Sequence, residues 1–164
     1  MNTKRMTIYA MLIALTVALS LTILVPIPAT NGFVTLCEAG IYTTTTALLF
    51  GPFGGFVVGA SSGLFIDLLS GYPQWALFSL LIHGLQGLVS GYFAEKTSKG
   101  RFVGLFIGSC LMISGYFLAG WFLYDWPAGV ASIPGNIFQN IIGVGLALPL
   151  TQALKRTRVQ KESK

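Results

Sequence analysis

Residues 35–93 read TLCEAGIYTTTTALLFGPFGGFVVGASSGLFIDLLSGYPQWALFSLLIHGLQGLVSGYF. The stretch has no lysine and no arginine, yet it carries Glu38, Asp67 and His83. Ionisable side chains in so apolar a run are costly in lipid and mark a functional site by default. Gly51, Gly55, Gly59 and Gly63 recur every four residues, and Asp67 continues the register. Glycine is a poor helix former, so four in register point to a helix face that another helix approaches closely. Gly51-Pro52 supplies a tight turn ahead of that helix. Downstream, Ser79, His83, Gln86 and Ser90 form a polar stripe at helical spacing, flanked by Gly84, Gly87 and Gly91. A transmembrane barrel would instead alternate apolar and polar residues in segments of about ten.

Working outward, the chain has 164 residues, of which 54% are hydrophobic and 9% charged. A soluble domain carries roughly 25% charged residues, so this is an integral membrane protein in a single domain, residues 1–164. Its ten basic residues fall into three clusters: Lys4 and Arg5; Lys96, Lys99 and Arg101; and Lys155, Arg156, Arg158, Lys161 and Lys164. The positive-inside rule places all three in the cytoplasm. Helix-end charges explain the basic tail without any nucleic-acid partner. Apolar runs predict helices at about 6–25, 35–50, 52–70, 76–94, 102–124 and 132–154. The threonine-rich run 35–50 is short. It is counted because Arg5 and Lys96 on one side require an even number of crossings between them. The expected fold is an all-α, polytopic bundle of six transmembrane helices with both termini cytoplasmic.

Lys4 and Arg5 before an apolar run also raise a signal peptide, but the run is long and no clean small-x-small cleavage site follows. Ala10, Ala14 and Ala18 form a smooth stripe on the first helix, suited to packing against a neighbouring helix or to docking a separate subunit.

The polar residues that fit a ligand pocket gather toward the outer face. Glu38 and Tyr42 share a face with Thr45 or Thr46. Tyr72 and Trp75 lie in the loop SGYPQW (70–75), where aromatics anchor helix ends or stack on a planar ligand. His83 and Gln86 belong to the polar stripe; a lone histidine is ordinarily a hydrogen-bonded packing element. Asn136, Gln139 and Asn140 open the last helix and supply donors and acceptors for a small heteroatom-rich molecule, or bond between helices. Cys37 and Cys110 lack any metal-ligand spacing and read as small apolar residues. No phosphate loop or HExxH occurs, and the single histidine and the lack of a carboxylate pair at local spacing leave neither nucleotide hydrolysis nor metal or enzyme chemistry expected. A polar pocket without an energy source suggests a binding subunit that borrows its power. The alternatives are a self-contained small permease or channel, an intramembrane enzyme, or a ligand-free scaffold.

An ordered set of motifs spans most of the chain: Glu38-Ala39-Gly40, LLFGPFGG at the turn, the glycine-rich helix to Asp67, and Gly71-Tyr72. His83-Gly84-Leu85-Gln86-Gly87 with Gly91, and Ile133-Pro134-Gly135-Asn136-Ile137-Phe138-Gln139, continue it. This set resembles the substrate-binding S components of energy-coupling-factor (ECF) vitamin transporters. Two departures matter: Glu38 stands where relatives often have aspartate, and His83 where many have lysine. The resemblance implies a multi-pass protein of the bacterial plasma membrane that captures a vitamin from outside. It implies partnership with a transmembrane coupling subunit and two cytoplasmic ATPases, which alone use ATP; no cofactor belongs to this chain. Ala10, Ala14 and Ala18 then become the docking face. Among such proteins it resembles those assigned to pyridoxine or hydroxymethylpyrimidine, small neutral aromatic compounds. Tyr72 or Trp75 would stack the ring, and the amides, His83 and Glu38 would bond its heteroatoms.

Overall fold

A computed structural model describes residues 3–26, 33–35, 41–97 and 99–156. In chain order the elements are α1 (Thr3–Thr22), β1 (Leu24–Pro26), β2 (Phe33–Thr35), α2 (Thr44–Leu69), α3 (Pro73–Lys96), α4 (Gly100–Leu123) and α5 (Trp126–Arg156). Five helical segments are long and apolar enough to cross a membrane. Apart from one pair of three-residue antiparallel strands, β1 and β2, the described residues are helical or in short turns. This strand pair flanks the Pro- and Gly-containing connection expected after the first helix. It ends α1 at Thr22, three residues before the apolar run does.

Runs 35–50 and 52–70, expected as two helices, belong largely to one element. Residues 41–43 wind more widely and lead into α2, which is broken at Gly51 (φ 77°, ψ −167°). That φ is open to glycine at little steric cost. Beyond the break the helix doubles back. A Cβ on Gly59 would lie 2.8 Å from Thr43 Cγ2, and one on Gly55 2.8 Å from Ala47 Cβ. In a straight helix Thr43 and Gly59 would be about 24 Å apart. The described short arm, 41–50, is about 15 Å long, half of a typical hydrocarbon core. The loop expected at 125–131 is shorter, because α5 begins at Trp126. Asp125 caps it, its Oδ1 accepting the Ala128 N–H at 2.8 Å, a favoured use of aspartate.

Helix α3 is the spine, packing on α2 along one side and on α4 along the other. The glycines of α2 set the first contact. Gly51 faces Gly91, Gly55 faces Gly87, Gly59 meets the His83 carbonyl and Gly63 the Ser79 carbonyl, each leaving no room for a Cβ. A second stripe, Gly100, Gly104 and Gly108, does the same for α4. These glycines lie against Phe93 O, Ser90 O and Ser90 Oγ. Backbones this close gain dispersion contacts that lipid cannot match.

These antiparallel contacts also sort the charges. Tyr9, near the start of α1, stacks edge-on against Phe50 beside the α2 turn, and the same turn meets the end of α3. The start of α4 and the end of α5 lie there too. Lys4, Arg5, Lys96, Lys99, Arg101 and Lys155 therefore share one end of the bundle. Asp67 and Asp125 lie toward the other.

Candidate functional site

The polar stripe of α3 does not face lipid. Ser79, His83 and Gln86 are buried, His83 completely. Gly63 leaves the space that the imidazole occupies, since a Cβ there would come within 3.1 Å of His83 Cδ2. From His83 a continuous hydrogen-bonded chain crosses three helices. Ser79 Oγ is 2.7 Å from Tyr116 Oη, and Tyr116 Oη is 2.8 Å from His83 Nε2. His83 Nδ1 is 3.2 Å from Gln86 Oε1, Gln86 Nε2 donates to Asn140 Oδ1 at 3.0 Å, and Asn140 Nδ2 donates to the Asn136 carbonyl at 2.8 Å.

The last bond fixes the direction of the others. A backbone carbonyl only accepts, so Asn140 must turn its amide nitrogen toward Asn136 and its oxygen toward Gln86. Gln86 then presents its nitrogen to Asn140 and its oxygen to His83, which places a proton on His83 Nδ1. With neutral imidazole, Nε2 accepts from Tyr116, and Tyr116 accepts from Ser79. Met112 Sδ, 2.9 Å from Asn140 Nδ2, occupies the second amide hydrogen. Each such interhelical bond contributes about 0.6–2 kcal/mol.

His83 is the eleventh residue of α3 and Gln86 the fourteenth of its 24, so the chain lies near the middle of the helix, deeper than an outward-half pocket. Above it Trp75 tilts against Tyr116 (5.9 Å between centroids) and Tyr124 (6.0 Å). Tyr124 Oη accepts from Trp75 Nε1 and Gln74 Nε2, both at 3.3 Å. The structure thus brings together Trp75, His83, Gln86 and Asn140. Gln139 is buried beside Asn140, and Asn136 is half-buried. Tyr42 is half-buried on the short arm of α2, where its carbonyl accepts from Thr46 Oγ1 at 2.7 Å. Tyr72 does not join them: it is 56% exposed ahead of α3. Glu38 and Cys37 lie outside the described residues. Ala10, Ala14 and Ala18 are exposed, while Tyr9, Thr16 and Ser20 turn inward.

Sequence reading missed Tyr116. Its signal was position: a phenol two turns before the end of α4, level with the polar face of α3. The large grooves at the flanks of α4 are a different kind of surface. The one lined by Phe78, Leu118, Trp121 and Phe122, about 710 Å³, is almost wholly apolar. It offers a small polar molecule little to bond. Among the described residues no cluster of His, Cys, Asp or Glu could hold a metal.

Residues 1–156 match the family model described as "ECF-type riboflavin transporter, S component". The chain belongs to this family. It is 33% identical over 159 residues to the "Thiamine precursor transporter HmpT" of Lactococcus lactis subsp. cremoris (strain MG1363), covering 96% of this chain and 92% of that one. It is 36% identical over 135 residues to an "Uncharacterized protein in gap 3'region" of Pyrococcus woesei, covering 80% of this chain and 88% of the other. The family assignment read from the motifs is borne out. The protein is an S component of the ECF type, a multi-pass cell-membrane protein and a transporter subunit rather than an enzyme.

Proposed function

We propose that this S component captures a small vitamin or vitamin precursor, hydroxymethylpyrimidine or pyridoxine, and delivers it inward with an ECF coupling subunit and two ATPases. The observation that carries the reading is the end-to-end relationship to a transporter named for a thiamine precursor. The buried polar chain supports it, because amides and an imidazole at the centre of the bundle suit a small, heteroatom-rich ring. Trp75, His83, Gln86, Asn136, Gln139 and Asn140 line the pocket, with Glu38 and Tyr42 closing it from the segment before α2. Tyr72 is better placed as an interfacial anchor.

The topology in this reading has six crossings. The run 35–50 counts as the second of them, and the hairpin at Gly51 turns on the cytoplasmic side. The shared basic end is cytoplasmic by the positive-inside rule, and both termini lie there. The chain forms one membrane domain with no cofactor of its own, and ATP is hydrolysed on partner subunits. The exposed alanine stripe of α1 is the docking face for the coupling subunit.

The test is a thermal-shift screen of the purified chain in detergent against B vitamins and their precursors. A ligand at about 100 times its Kd adds roughly 2.7 kcal/mol to stability. Stabilisation by hydroxymethylpyrimidine supports the reading. No shift with any vitamin in a folded sample, or uptake by the chain alone without ATPases, sinks it in favour of a self-contained permease.

A further inference from the structure

We infer that the pocket rejects anions, so that the ligand enters without a phosphate or a carboxylate. The inference deepens the proposed capture function and rests on it.

Its first ground is the placement of positive charge. Between Arg5 and Lys96, and again between Arg101 and Lys155, the sequence has no lysine or arginine at all. Every described Lys and Arg sits at one end of the bundle. Lys96 is thirteen residues beyond His83 on α3, about 20 Å along the helix, too far for its ammonium to reach the buried polar chain. The connections at the opposite end, through which a ligand would arrive, have none either. The acidic residues outside the basic segments are Glu38, Asp67 and Asp125. Asp67 follows one helical turn after Gly63, which packs against Ser79 and the His83 ring, so the ionisable group nearest that contact on α2 offers an anion no countercharge.

The second ground is that the described groups best suited to an anion near the site are partly engaged already. Both ring nitrogens of His83 are engaged, by Gln86 and by Tyr116. A helix N-terminus can hold an anion through its free N–H groups. At α5 that position is filled by the chain's own carboxylate, Asp125, on the Ala128 N–H. Helix α3 opens with Pro73, which has no N–H, and the Trp75 N–H bonds back to the Tyr72 carbonyl at 3.0 Å. What remains is neutral: hydroxyls and amides already bonded largely to one another. A phosphate monoester carries about −1.5 to −2 at neutral pH. Burying it without a countercharge is far more costly than burying a neutral ring with its hydrogen bonds made.

The experiment is a calorimetric titration of the folded, purified chain with matched pairs: hydroxymethylpyrimidine, pyridoxine and riboflavin, each beside its phosphate monoester, with biotin and nicotinate as carboxylates. The expected result is binding of at least one parent compound, with its phosphate ester at least 100-fold weaker and both carboxylates silent. An ester within tenfold of its parent overturns the inference and leaves the capture function standing. A carboxylate that outcompetes every neutral compound overturns the inference and the proposed cargo together. If no parent compound binds, the capture function and this inference fall together.

Discussion

Tyr116 on α4 holds its phenolic oxygen 2.8 Å from His83 Nε2 on α3 and 2.7 Å from Ser79 Oγ. One hydroxyl thus joins two helices at two points, near one end of the polar chain that runs from Ser79 to Asn136. Tyr116→Phe removes that oxygen and leaves the ring. Two buried polar atoms then lose a partner, each a penalty of about 1–3 kcal/mol before relaxation. The expected outcome is a fall of several degrees in Tm and about tenfold or more weaker ligand binding. Thermal unfolding and calorimetry on one preparation check both, and an unchanged affinity would remove Tyr116 from the site.

Gly59→Ala asks whether the α2–α3 contact is as tight as its geometry. The added methyl collides with the His83 backbone carbonyl, which no rotamer change can relieve. Overpacking of this kind costs about 1–3 kcal/mol. Gly145→Ala on α5 is the matched control, since a Cβ there meets nothing within 4 Å. Helix propensity alone then favours alanine by about 1 kcal/mol. Opposite shifts in Tm are expected, and two shifts of one sign would contradict the packing described.

That contact was the most legible part of the fold. Gly51, Gly55, Gly59 and Gly63 announce a close helix approach, and Gly51-Pro52 announces the turn, because both signals are local. A second stripe, Gly100, Gly104 and Gly108, obeys the same rule on α4 but was not among the expected contacts. The start of α5 at Trp126 was legible in Asp125 as an N-cap but was read as loop. The candidate site was half visible. Ser79, His83 and Gln86 share a helix face, so periodicity finds them. Tyr116 meets them only because α3 and α4 run antiparallel at one register, which no local spacing encodes. Tyr72 and Trp75 lie close in sequence, but the helix begins between them at Pro73, and Tyr72 stays exposed while Trp75 packs on Tyr116.

Asn136 and Asn140 separate a ligand role from a structural one. The buried chain uses only the backbone carbonyl of Asn136, which alanine retains, whereas it uses both ends of the Asn140 amide. Asn136→Ala is expected to keep the wild-type Tm within a degree or two and to weaken ligand binding about tenfold. Asn140→Ala is expected to lower both, because the Gln86 amide is left without its acceptor. If Asn136→Ala binds as tightly as wild type, that side chain does not face the ligand.

The last prediction concerns α1, whose only large contact among the described residues is with α2. Tyr9, Thr16 and Ser20 face inward, which leaves Ala10, Ala14 and Ala18 on the outward side. Ala14→Leu adds bulk where nothing in this chain is displaced, so Tm and ligand affinity should match wild type. A second helix approaching that stripe would be pushed outward by the extra side chain, since small residues set how closely helices meet in lipid. The expected outcome is a loss of at least tenfold in ATP-driven uptake by the reconstituted complex, with binding by the isolated chain unchanged. Full uptake by the variant would mean that the coupling subunit docks elsewhere. A drop in Tm instead would show that the stripe packs within the chain.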